Sequence, residues 1–187
     1  MAPGPNGPVP AVAQLPATSE ARKATVVDAV ARTPILPVGI PQFTPVKPQM
    51  AAGLRPDLDG LDWLQTNGYR TVVHVRSAGT DDSADRRQIE KRGMQYVGLD
   101  WAPTGMTPPV AEEFGRLVSD TSRHPLFVYD RDGTLTGSLW YVHARLHDRL
   151  SENDARTDAA RLGLKNSAEH QPVWNGVQDF LSRYPAN

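Results

Sequence analysis

The stretch from Pro125 to Trp140, PLFVYDRDGTLTGSLW, limits the folds open to this chain more than any other. Leu126, Phe127 and Val128 form an apolar run that ends at Tyr129. Asp130 and Asp132 follow one residue apart, then Gly133, Thr134, Leu135, Thr136 and Gly137. From Ser138 to Leu150, Leu139, Val142, Leu146 and Leu150 recur at helical spacing. A buried strand, a tight polar loop and a helix start make a phosphate-binding geometry. The same order belongs to folds in which strands alternate with helices.

The flanking pattern agrees. Asp57 to Thr66 reads as a helix ended by Asn67-Gly68, and Thr71 to Val75 (TVVHV) as a buried β-branched strand. Ser83 to Arg92 reads as a charged surface helix and Gln95 to Leu99 as a second short strand. Pro109 to Ser122 reads as a helix with proline in its first turn. Asn153 to Leu162 and Val173 to Tyr184 read as further helices. The expected fold is a three-layer α/β domain with a short, mostly parallel sheet. Ligands of such sheets sit at the carboxyl ends of the strands, which singles out the loops after Val75, Leu99 and Tyr129.

Ten of the 17 prolines lie in the first 48 residues. Proline fixes φ and removes a backbone donor, so this segment is expected to be extended or disordered, not sheet, with a short helix allowed at Ser19 to Ala31. The organisation expected is a Pro-rich segment over 1–38 and the α/β domain over 39–187.

Composition narrows the chemistry. The 187 residues contain no cysteine, which excludes disulfides, thiolate metal sites and a cysteine nucleophile. Lys plus Arg is 20 against 21 Asp plus Glu, a net charge of −1, which gives no reason to expect nucleic acid or an anionic membrane as partner. No apolar run approaches the roughly 20 residues of a membrane span, and the N-terminus lacks the pattern of a secretory signal. The expected location is cytoplasmic.

Two resemblances meet in the loop. FVYDRDGTLT looks like the first motif of the haloacid-dehalogenase superfamily of phosphatases. That resemblance implies Asp130 as nucleophile, Asp132 as acid/base, Thr134 as support, and Mg²⁺ shared with the carboxylates. The partners it implies are not evident: Lys165 is the one lysine after the loop, and Asp154 and Asp158 lie on a helical pattern with Arg156 and Arg161. The second resemblance runs from about Ile40 to Leu164. GLRPDLDGLDWLQTNGYRTVVHVR, QYVGLDW and PLFVYDRDG, with their intervening helices, are similar to the small dual-specificity and tyrosine-phosphatase-like domains, including their bacterial branch. Tyr129 then precedes the nucleophile position, Asp130 occupies it, and Gly133 matches the loop glycine. The arginine position falls on Leu135 or Thr136, and Asp100 lies where the family keeps its general acid.

The departure decides the expected chemistry. The family's mechanism needs a low-pKa thiolate and a bidentate arginine, and both are replaced. The reading is a degenerate phosphatase-like domain that works by binding or scaffolding, without a cofactor. Its ligand loop is Tyr129, Arg131, Gly133, Thr134 and Thr136, and its partner is a protein or a phosphorylated ligand. The alternative is a Mg²⁺-dependent aspartyl-phosphate phosphohydrolase with Asp130 and Asp132 as catalytic and metal-binding residues. Asp130 and Asp132 also suit plain N-capping. His143 and His147, four apart, have metal-ligand spacing but read better as packing histidines, and His74 as a sheet histidine. Arg55 and Arg76 lie near strand ends, where they form ion pairs or line an anion pocket.

Overall fold

The computed structural model describes residues 37–102 and 105–185. Its helices and strands occur in the order β1 (Thr44–Lys47), β2 (Met50–Leu54), α1 (Leu58–Thr66), β3 (Thr71–Ser77), α2 (Ser83–Glu90), β4 (Gln95–Trp101), α3 (Pro108–Ser119), β5 (Leu126–Asp130), α4 (Thr134–Leu146), α5 (Glu152–Leu162) and α6 (Gln171–Arg183). The sheet order is β1-β2-β5-β3-β4. Among the strands of the described residues, β1 and β2 pair antiparallel, whereas β2 with β5, β5 with β3 and β3 with β4 are parallel.

β5 lies mid-sheet with every residue buried. That explains its unbroken apolar run: a central parallel strand is covered on both faces, so the alternation of polar and apolar residues disappears. Val73, Val75, Leu126 and Val128 pack on one face against α3, α4, α5 and α6. Val72, Phe127 and Tyr129 pack on the other against Leu61 and Leu64 of α1 and Ile89 of α2. The result is the three-layer α/β arrangement expected from the sequence.

Several boundaries differ from the sequence reading; β4 runs on to Trp101, so Asp100, expected in the loop after Leu99, lies within the strand. The Pro-rich stretch was expected to avoid sheet, yet β1 is a strand and contains Pro45. It is the edge strand of the sheet, where a missing N–H is tolerated. β2 follows immediately and was not foreseen, because Met50, Ala51, Ala52 and Gly53 are not β-branched. The helix after the loop begins at Thr134, one turn before Ser138, and ends at Leu146. Gly133 supplies its start with a φ of 87°, and carboxylates cap the first turn. The expected helix at Ser19 to Ala31, and nearly all of the 1–38 segment, lie outside the described residues. No helix among the described residues is long and apolar enough to cross a membrane.

Candidate functional site

The carboxyl end of β5 delivers Asp130 to the base of α4. Asp130 is 1% exposed. Its Oδ1 accepts the backbone N–H of Gly133 at 2.7 Å, and its Oδ2 accepts those of Leu135 at 2.8 Å and Thr136 at 3.4 Å. The loop therefore curls into an anion cradle, and the anion inside it is the chain's own side chain. Burial pushes the Asp130 carboxyl up to about 6, while the N–H groups of Leu135 and Gly133 act in the other direction.

Asp132 caps the same helix from outside, accepting the Thr134 N–H at 3.1 Å. Partial burial opposes its ionisation, but hydrogen bonds from Thr134 and Arg131 outweigh this and hold it below the ordinary carboxylate value. Arg131 itself is 94% exposed and lies 3.3 Å from Asp132. Thr134 and Thr136 belong to the first turn of α4. Thr134 borders a cleft of about 480 Å³, whereas Thr136 is buried with its hydroxyl unpartnered. Of the two arginine positions implied by the resemblance, only Leu135 faces the cleft.

The remaining sequence candidates take separate places. Tyr129 points away from the cradle: its ring stacks on His74 at 4.4 Å and its hydroxyl donates to Asp85 at 2.9 Å. Asp100 lies within β4, exposed, 3.2 Å from Arg76. His143 and His147 stack on α4 at 4.7 Å, and burial drives His143 down to about 4. Among the described residues no group of three metal-ligating side chains converges. Asp158 pairs with Arg161 and Arg156 with Glu152, while Ser151 caps α5 by accepting the Asp154 N–H and donates its hydroxyl to the Asp154 carboxylate.

Sequence reading missed two features. One is a polar network beside the cradle. Asp85 accepts from Arg55 through a bidentate pair and from Tyr129, while Asp82 accepts the Tyr96 hydroxyl at 2.6 Å and lies 3.3 Å from Arg76. Burial opposes ionisation of Asp85, but the bonds from Arg55 and Tyr129 hold it low. His74, with Nδ1 3.2 Å from the Tyr96 hydroxyl, is lowered by the same burial. The other feature is His170, which with Glu169 and Val173 closes the cleft. Its Nδ1 accepts the Lys165 N–H at 2.9 Å, so Nε2 carries the proton of the neutral ring and faces the Thr134 hydroxyl at 3.4 Å. The only signal for it was a lone histidine before a proline-started helix.

Both oxygens of Asp130 are engaged by backbone donors. A cation held between Asp130 and Asp132 would have to share those oxygens with the N–H groups. Among the described residues lining the cleft there is no lysine; Arg131 pairs with Asp132, and Arg76 pairs through Nη2 with Asp82 and Asp100 while its buried Nε and Nη1 have no hydrogen-bond partner.

Comparison with known proteins places these features. A family model described as DSP-PTPase phosphatase fused to NAD+ kinase matches residues 41–171. The chain is 24% identical over 125 residues to probable NAD kinase 2, chloroplastic, of Oryza sativa subsp. japonica; the match covers 60% of this chain and 12% of that protein. Among solved structures, the core catalytic domain of the PP-IP phosphatase SIW14 from S. cerevisiae superposes with a TM-score of 0.61 at 11% identity, covering 78% of this chain and 94% of that one. TpbA from P. aeruginosa superposes with a TM-score of 0.60 at 14% identity, covering 74% and 84%.

Proposed function

Because the chain belongs to the family of DSP-PTPase phosphatase domains fused to NAD+ kinase, we propose that it is a degenerate member that binds without hydrolysing. The observation that carries this reading is Asp130: the nucleophile position holds a carboxylate, and that carboxylate fills the anion cradle of its own loop. An incoming phosphate would meet a buried acceptor where it needs donors. No cysteine exists anywhere in the chain to take the nucleophile's role. The partner of such a domain is a protein surface; the cradle has no vacancy for a phosphoryl group.

The rival is the aspartyl-phosphate enzyme with Mg²⁺. It needs Asp130 free to attack and a fixed cation on the phosphoryl oxygens, and each missing preorganised donor costs about 10²–10³ in rate. The test is turnover of p-nitrophenyl phosphate with Mg²⁺ added or chelated, alongside Asp130→Asn. The expected result is background hydrolysis in every case. Mg²⁺-dependent turnover abolished by Asp130→Asn would overturn the proposal and install the rival.

A further inference from the structure

The two edges of the sheet are unlike. β1 spans only Thr44–Lys47, contains Pro45, and has a register shift between Pro45 and Lys47. Each of these blunts an edge against a further strand. β4 spans Gln95–Trp101 without a proline and ends the sheet on the opposite side. Among the described residues no strand pairs with its outer edge.

Two hydrogen bonds fix which groups face outward. Gln95 donates its N–H to the Arg70 carbonyl at 2.7 Å, and the Trp101 carbonyl accepts the Ala78 N–H at 3.0 Å. Both run toward the β3 side. In a parallel ladder alternate residues of a strand serve one neighbour. Gln95, Val97, Leu99 and Trp101 therefore serve β3, and the backbone groups of Tyr96, Gly98 and Asp100 point away from it. Gly98 and Asp100 are not buried.

We propose that this outer edge of β4 is a homodimer interface, two copies pairing antiparallel about a two-fold axis at Gly98. In that register Gly98 faces Gly98, and Tyr96 of one copy faces Asp100 of the other on either side. Outward donors then meet outward acceptors along the strand. Val97 faces Leu99, apolar against apolar, and no like charges are directly opposed. A slip of two residues in either direction keeps fewer of these pairs.

Charge supports the same register. Arg76 reaches across β4 over Gly98, where a Cβ would strike its guanidinium, and lies 3.2 Å from Asp100 of its own copy. Across the axis, the diagonal neighbour of Gly98 is Asp100 of the other copy, within reach of a long side chain. The glycine thus leaves room for the arginine at the point where the two strands meet, and each arginine is flanked by both aspartates.

Sedimentation equilibrium and amide hydrogen exchange on the full chain test this. The expected result is a concentration-dependent dimer in which the amides of Tyr96, Gly98 and Asp100 gain protection. Those of Val97 and Leu99 are protected at every concentration. Val97→Lys sets a charge against Leu99 twice per dimer and raises the dissociation constant about tenfold or more. Asp100→Lys, at an exposed position and with its melting temperature checked, weakens the dimer in the same way by leaving Arg76 beside lysines. A chain that stays monomeric up to about 1 mM overturns the proposal. So does a dimer whose dissociation constant is unchanged in both folded variants.

Discussion

Gly133 and Gly163 meet backbone to backbone. A Cβ built on Gly163 would lie 2.6 Å from the Gly133 Cα and 2.8 Å from the Asp132 carbonyl oxygen. A Cβ on Gly133 would strike the Leu162 carbonyl. The turn after α5 is therefore the back wall of the loop that holds Asp130.

Gly163→Ala should destabilise the fold for two reasons. The position has a φ of 122°, which only glycine adopts without strain, and the space for a methyl group is taken by the loop. Together these cost about 2–4 kcal/mol. Urea unfolding measures the loss. A midpoint equal to that of the wild type would mean that the loop is not braced from behind.

The pH dependence of stability follows from Asp130. Its carboxyl is raised by burial from 3.8 to about 6, so the folded state binds the proton more tightly than the unfolded chain. Below the unfolded value both states are protonated and the group has no effect. As pH rises toward 6 the unfolded chain ionises first, and stability falls by at most about 3 kcal/mol, then levels off. Asp130→Asn abolishes this titration. Wild-type stability should therefore drop relative to Asp130→Asn between about pH 4 and pH 6. Parallel pH profiles of the two proteins, taken from urea midpoints, would refute it.

The cradle should accept an external anion once its tenant is removed. Asp130→Ala leaves the N–H groups of Gly133, Leu135 and Thr136 without an acceptor, and inorganic phosphate or tungstate should bind there where the wild type binds neither. Isothermal titration of both proteins measures this. Adding arginine at Leu135, the position facing the cleft, should tighten binding about tenfold, whereas arginine at the buried Thr136 should unfold the site. Absence of oxyanion binding by a folded Asp130→Ala would show that the loop opens when the carboxylate leaves.

Sequence alone determined the local elements. The apolar run of β5, the β-branched run of β3 and the helical spacing after the loop each express one periodicity, which neighbouring residues carry without help. Absence of cysteine likewise excluded thiolate chemistry before any geometry was known. Local pattern failed where the stabilising contact is distant. Gln49, Met50 and the alanines after it have no strand signature of their own; β2 forms because β5, some 75 residues later, offers it a parallel ladder from Met50↔Leu126 to Leu54↔Asp130. Tyr129, placed by pattern next to the loop chemistry, is turned toward Asp85 because the strand pleat sends its side chain to the opposite face from Val128.

The candidate site divides in the same way. That Asp130 and Asp132 lie at a strand-to-helix junction was written in the sequence, because a strand, a glycine and a helix start follow in order. Which of the two fills the cradle was not. Only the tertiary structure decided that Asp130 is buried with its oxygens on three N–H groups while Asp132 caps from outside. That outcome depends on Gly163 closing the loop from behind and on His170 arriving from the far side of α5. Those contacts join segments separated by some 30 residues, and their energies arise from burial and close approach, which no short stretch of sequence encodes.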